Sequence, residues 1–143
     1  MVMNVQLKPS YRLACLLITA HVATAAGVFM LDLPFELRMA LACVVLLSLV
    51  ATVQRSALLR TRDAIVALEW NEDRAVNFQT RDGLWHAARL LPTTFVTPFL
   101  TVIDLRTQGT PRIRHVVMMT DSAAPDEYRR LRVRLQWDNS GYA

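Results

Sequence analysis

Glycine is scarce in this chain, at four of 143 positions: Gly27, Gly83, Gly109 and Gly141. A phosphate-cradling loop or a dinucleotide fingerprint needs several glycines at short spacing, so neither can be written here. There is no Gly-flanked serine, no His-Glu-x-x-His and no Cys-x-x-Cys. The signatures of nucleophile-elbow hydrolases, zinc peptidases and thiol oxidoreductases are therefore missing. Cysteine is limited to Cys15 and Cys43, both inside apolar runs, which reads as small apolar residues in helices rather than a disulfide framework. A bridge between the two runs stays open, because sequence does not give their separation. Charged residues make up only 20% of the chain, against about 25% in ordinary soluble domains.

The missing charge is concentrated in the first third. Leu13 to Leu31 is 19 residues without a formal charge, and Met39 to Val53 is another 15. A membrane-spanning helix needs about 20 mainly apolar residues, in a range of about 17 to 25. Residues 13–31 meet that directly, and residues 37–53 meet it when Arg38 snorkels to the interface. A cleaved signal sequence would also begin with basic residues and contain small ones. Here the apolar run continues past Ala20, Ala23, Ala25 and Ala26 through Leu31, and a second run follows seven residues later. The pattern predicts an uncleaved transmembrane hairpin over 13–53, turned at Asp32-Leu33-Pro34-Phe35-Glu36, where proline breaks the helix.

Net charge is +4 at pH 7, and its distribution indicates an orientation. Lys8 and Arg12 precede the first span, and Arg55, Arg60 and Arg62 follow the second in a basic linker over 54–63. Lys- and Arg-rich short segments stay on the cytoplasmic side, so the N-terminal segment 1–12 and everything beyond the linker are expected in the cytoplasm. Residues 64–143 carry ten arginines against nine acids, too balanced for a nucleic-acid footprint. Tyr11 and Phe35 fall where interfacial aromatics belong. His21 lies near the middle of the first span, where an ionisable group is a functional candidate. The plainer reading has it bonded to Thr19, Thr24, Ser48 or a backbone carbonyl, joining the two helices.

Beyond Ala64 the apolar pattern takes the period of strands. Residues 64–71, 75–80, 84–91, 99–106 and 112–119 read as five strands, separated by turns at Glu72-Asp73-Arg74, Arg81-Asp82-Gly83, Pro92 and Thr107-Gln108-Gly109-Thr110. Asp121 or Ser122 can then cap a helix with Pro125 in its first turn and Asp126 and Glu127 at its positive end. Tyr128, Leu131 and Leu135 recur at helical spacing, so residues 125–137 form an amphipathic helix. The fold class is α+β: a two-helix membrane hairpin followed by an antiparallel sheet of about five strands closed by a C-terminal helix, in a domain spanning 64–143. About 80 residues make a thin core, so packing on the bilayer, a partner or a second copy is expected.

Candidate sites in this region are few. His86 and His115 lie 29 residues apart without a third ligand, and no metal or other cofactor is implied. Asp104, inside an apolar strand, points to solvent or pairs with Arg106 or Arg114. Trp70, Trp85 and Trp137 read as core or interfacial aromatics. Arg129, Arg130, Arg132 and Arg134 surround the last helix, where they form a solvated face or hold an acidic partner or anionic lipids.

The run Asp121-Ser122, then Glu127-Tyr128-Arg129-Arg130-Leu131-Arg132-Val133, then Leu135 and Trp137, resembles the C-terminal signature of the YgfX family. These are small bacterial inner-membrane proteins, also known as the CptA membrane-bound toxin component. Pro9-Ser10-Tyr11-Arg12, His21, the two spans, and Trp85 and Leu105 agree in order, so the resemblance runs from about Leu7 to Trp137. It implies a non-enzymatic membrane toxin that hinders assembly of the filament proteins of division and cell shape. Its implied partner is a small soluble antitoxin that also serves in flavin attachment. On this reading Arg129, Arg130, Arg132, Arg134 and Trp137 hold the partner. The alternative is an accessory subunit of a respiratory or flavoprotein membrane complex, packed through His21.

Overall fold

The computed structural model describes residues 2–71 and 75–140. The turn at Glu72-Asp73-Arg74 lies outside the described residues, as do Met1 and residues 141–143. The chain opens with strand β1 (Met3–Gln6), followed by helices α1 (Tyr11–Met30) and α2 (Phe35–Thr52). Strands β2 (Ile65–Trp70), β3 (Ala75–Thr80), β4 (Trp85–Leu90), β5 (Phe95–Val96), β6 (Leu100–Thr107) and β7 (Ile113–Met119) come next, and helix α3 (Pro125–Ser140) ends it. The five strands legible in the sequence are all present. The structure adds β1 and the two-residue β5.

Both α1 and α2 are long and apolar enough to cross a membrane, and almost none of their surface is buried inside the protein. At about 1.5 Å per residue, the 20 residues of α1 match the roughly 30 Å hydrocarbon layer. Ser10 caps α1, its Oγ accepting the Leu13 N–H at 3.0 Å. At the far end the Arg38 guanidinium donates to the Leu31 and Leu33 carbonyls at 2.9 and 3.2 Å. The Leu31 carbonyl also accepts the Leu33 N–H at 2.9 Å, so the turn is closed on itself and tied to α2 through Arg38. The two cysteines are free and exposed, so no bridge joins the helices.

Past Thr52, α2 widens into one π-helical turn over Val53–Ala57. Leu59 follows in the left-handed region at φ 52°, the conformation glycine usually supplies just after a helix. A Cβ there costs about 1–2 kcal/mol, offset by burial of the leucine side chain, which is 9% exposed.

All strand pairings are antiparallel. The order is β1-β2-β3-β4-β6, with β5 continuing the line of β4 along β6, and β7 on the other side of β6. A bulge between Ile65 and Ala67 interrupts the register of β2 with β3, and Ile65, Ala67, Leu68 and Trp70 are all buried. The sheet curls until β1 meets the segment after β7, where the Lys8 N–H donates to the Ser122 carbonyl at 2.7 Å. Inside the curl, Trp70, Phe78, Ile103, Leu105 and Met118 form a core with Tyr128, Leu131 and Leu135 of α3.

Strand β7 borders two cores at once. Val116 and Met118 face the main core, while Val117 and Met119 pack on the other side against Leu13, Ala14, Leu17, Val53 and Ala57 at the base of the hairpin. The uninterrupted apolar run 116–119 is thus explained by burial on both faces.

Candidate partner-binding groove

Helix α3 starts where its sequence predicts, but its cap differs. The Tyr128 N–H donates to the Ala124 carbonyl at 2.8 Å, and neither Asp121 nor Ser122 caps it. Ser122 Oγ instead accepts the Met119 N–H at 2.9 Å. The Asp121 carboxylate is turned to the start of α1, where it accepts from Ser10 Oγ at 2.6 Å and the Arg12 N–H at 3.2 Å.

Tyr128, Leu131 and Leu135 point inward, with exposures of 4, 0 and 0%, and the Tyr128 hydroxyl lies 3.2 Å from Thr101 Oγ1 of β6. Burying that stripe rotates Arg129, Arg130, Val133 and Trp137 outward. Val133 is 50% and Trp137 76% exposed, an unusual condition for an indole on a small domain. Together with Asp126 and Arg134 they form one wall of an open groove of about 790 Å³, whose other wall is Val2, Met3 and Asn4.

The four arginines do not act together. Arg132 is directed away, its guanidinium donating to the Pro98 carbonyl at 3.4 Å, and it lies outside the groove. Arg134 lines the groove but is already engaged by the Asn71 carbonyl at 3.4 Å and Asp138 at 3.7 Å. Among the described residues, Arg129 and Arg130 have no ion-pair partner.

The β1 wall contributes backbone as well. The Leu7 N–H donates to the Val66 carbonyl at 2.9 Å, so alternation along an antiparallel pair sets Met3, Val5 and Leu7 toward β2. The main-chain groups of Asn4 and Gln6 then lie on the free edge, the same edge from which Lys8 reaches Ser122. Apolar surface, guanidinium groups without ion-pair partners among the described residues, and a strand edge converge here. That combination suits an extended acidic segment of another protein.

The other sequence candidates lie apart from this groove. His21 Nδ1 is 2.8 Å from the Leu17 carbonyl, which can only accept, so the proton of the neutral ring sits on Nδ1. Its Nε2 then accepts from Ser48 Oγ of α2 at 3.4 Å. Asp104 pairs with neither Arg106 nor Arg114; its carboxylate contacts His115 Nδ1 at 2.6 Å and Thr93 Oγ1 at 2.7 Å. His115 is its direct cross-strand neighbour, a pairing that needs the β6–β7 register and is not readable from spacing. His86 stacks on Phe78 with ring centroids 5.1 Å apart. No group of three metal-ligating side chains occurs among the described residues. Trp70 is buried, while Trp85 is 48% exposed.

Of the flanking cations, Arg12 donates to Thr120 Oγ1 at 2.9 Å, and Arg55 pairs with Asp63 at 3.1 Å. Lys8 engages Ser122, and Arg60 engages Gln54, through their backbone N–H groups, while the Arg62 carbonyl accepts from the Asp82 N–H. Burial opposes ionisation of Asp63, yet Arg55, the Thr61 hydroxyl, its own N–H and Arg114 hold its carboxyl below the usual range. At Asp121 burial is likewise outweighed by Ser10, the Arg12 and Asp121 N–H groups and the Arg12 charge, which keep that carboxyl low.

Sequence reasoning missed β1 as a wall of the groove, although Met3-Asn4-Val5-Gln6-Leu7 alternates apolar and polar residues. No curated protein and no solved structure matches the chain. A family model described as the membrane-bound toxin component of a toxin-antitoxin system matches residues 1–139, and the chain belongs to that family.

Proposed function

We propose that the chain acts by binding rather than by catalysis, holding a soluble protein at the membrane through the groove between β1 and α3. The observation that carries this reading is the exposed Trp137 beside two guanidinium groups, Arg129 and Arg130, without ion-pair partners among the described residues, and the edge of β1. An aromatic anchor flanked by arginines is the composition of a binding hot spot. The first occupant is the small soluble antitoxin that a toxin-antitoxin pair requires, one with acidic surface and a flavin-attachment role. The division and cell-shape filament proteins are the targets the antitoxin would displace or protect. Lys8, Arg12, Arg55, Arg60 and Arg62 orient the hairpin so that both termini and the sheet face the cytoplasm of the bacterial inner membrane.

The test is capture of partners from in-cell cross-linked membranes on the C-terminally tagged full chain, with co-purifying proteins identified by mass spectrometry. Recovery of the small soluble antitoxin with the wild type, and its loss with Arg129→Glu/Arg130→Glu at unchanged membrane insertion, is the expected result. Equal capture by the double variant would overturn the groove as the binding surface.

A further inference from the structure

We propose that the chain carries a second binding site, for the phosphate of an anionic phospholipid, in the pocket where α2 leaves the hairpin and passes β7. This site is on a different part of the molecule from the α3 groove and rests on separate observations.

Its inner part, about 40 Å³, lies between Lys8, Arg55, Ser56, Asp63 and Arg114. That space accepts a phosphate-sized group and excludes an acyl chain. An outer, open part of about 330 Å³ shares Arg55, Ser56 and Arg114, and is bordered by Ala51 and Thr52 of α2 and by Ile113 of β7. Ile113 is 45% exposed. Arg55, Ser56 and Arg114 border both parts, so a charged head group entering along the last turn of the second span meets the same cations from the opening inward.

The charges select an anion. Lys8, Arg55 and Arg114 line the pocket together with one carboxylate, Asp63, which Arg55 and Arg114 share at 3.1 and 3.3 Å. Three cations against one anion leave two positive charges in excess. Sharing Asp63 also fixes the two guanidinium groups relative to one another. Arg114 spends one nitrogen on the Asp63 carboxylate and carbonyl, both at 3.3 Å. A guanidinium carries five N–H donors in a planar fork suited to phosphate oxygens, so both arginines keep donors for a ligand. The Ser56 hydroxyl can add another.

Position identifies the phosphate as a lipid's. Arg55 is three residues beyond Thr52, the end of the α-helical part of the second span, which puts its charge at headgroup depth. Anionic lipids attract such juxtamembrane cations. A zwitterionic lipid would bring an ammonium group into the same cationic pocket and would be disfavoured.

The experiment uses the full chain in a neutral detergent, titrated separately with phosphatidylglycerol, phosphatidylcholine and inorganic phosphate. It follows the thermal midpoint and the number of lipids retained in native mass spectrometry. Phosphatidylglycerol is expected to raise the midpoint and to remain as a single adduct. Lys8→Gln/Arg55→Gln should weaken its apparent affinity by about tenfold or more, the scale of two lost charge-assisted contacts. Lys8 is exposed and the Arg55 side chain is 54% exposed, so this variant should still fold, with a modestly lower midpoint from the lost Arg55–Asp63 pair, and its lipid response is read against its own lipid-free midpoint. Equal response to phosphatidylcholine, or an unchanged affinity in the variant, would overturn the site. Equal stabilisation by inorganic phosphate would overturn its assignment to a lipid.

Discussion

Ser10 and Asp121, 111 positions apart, share a 2.6 Å hydrogen bond that fastens the start of α1 to the segment after β7. The serine hydroxyl works in both directions: it donates to the carboxylate and accepts the Leu13 N–H. The second carboxylate oxygen accepts the Arg12 N–H. A full negative charge therefore sits on the N-terminus of α1, where the helix dipole favours it. With Lys8 bound to Ser122 and the Ser10 N–H donating to the Ala57 carbonyl at 2.8 Å, this contact couples both helices to the domain.

Removing that carboxylate should loosen the joint. Asp121→Ala is expected to lower unfolding stability in micelles by about 1–3 kcal/mol, the cost of leaving charged-group hydrogen bonds unmade. Ser10→Ala should cost about 1 kcal/mol through the lost cap. Chemical denaturation of the full chain measures both, and an unchanged midpoint for Asp121→Ala would refute the coupling.

Acid should act at the same joint. The carboxyls of Asp121 and Asp63 are both held below their ordinary range, by the Ser10 and Arg12 contacts and by Arg55 and Arg114, against the effect of burial. A carboxyl with a depressed native pKa releases its proton more readily when folded. Its contribution is full above the unfolded value, about 3.9, and is lost as pH falls below that toward the native value. Thermal midpoints should be flat from neutrality to about pH 5 and drop below about pH 4, with a smaller drop in Asp121→Asn.

Much of this architecture was legible because its elements repeat their period for long enough. Helices α1 and α2 declare themselves by uncharged length, and α3 by Tyr128, Leu131 and Leu135, which are the residues found buried. Strand β1 escaped because four residues of alternation before a basic, membrane-flanking segment read as an N-terminal segment, and β5 has only two residues to show. The groove was half visible. Helical periodicity placed Arg129, Arg130, Arg132 and Arg134 off the buried face, but Trp137 read as a core or interfacial aromatic, and Arg132 was separated from Arg129 and Arg130 only by its contact with Pro98. Tertiary pairings such as Asp104 with His115 and Ser10 with Asp121 depend on sheet register and curl, which no local pattern encodes.

Core truncation under the groove should be costly and indirect. Leu135 is fully buried in the main core, so Leu135→Ala is expected to destabilise by about 2–5 kcal/mol and to release α3 from the sheet. Val133→Ala, at an exposed position of the same helix, should change stability by no more than about 0.5 kcal/mol. Urea denaturation distinguishes the two; similar losses would mean that α3 is not seated as described.

Between the spans, the His21–Ser48 contact at 3.4 Å predicts a modest effect. Interhelical hydrogen bonds in membranes average about 0.6 kcal/mol, so Ser48→Ala should cost about that much in a micelle unfolding assay. His21→Leu should cost a similar amount, and the double variant little more than either single one, because both remove the same bond. Additive losses would show that each side chain has a separate role.

The division among the α3 arginines yields the sharpest test of the groove. Arg129 and Arg130 line it without ion-pair partners among the described residues, whereas Arg132 is spent on the Pro98 carbonyl outside it. Reversing charge at Arg129 and Arg130 should weaken capture of an acidic partner by about tenfold to a hundredfold, the range for losing contacts at a charge-complementary interface. Arg132→Glu reverses one charge rather than two on the same helix, outside the contact surface, so its effect should stay within about threefold and shrink further with added salt. Trp137→Ala should weaken binding without changing its salt dependence, because the indole contributes buried area rather than charge. Affinity measured at low and high ionic strength for the four proteins separates these terms. If Arg132→Glu proved as damaging as the Arg129/Arg130 variant, general attraction to a basic helix, not a groove, would explain the binding.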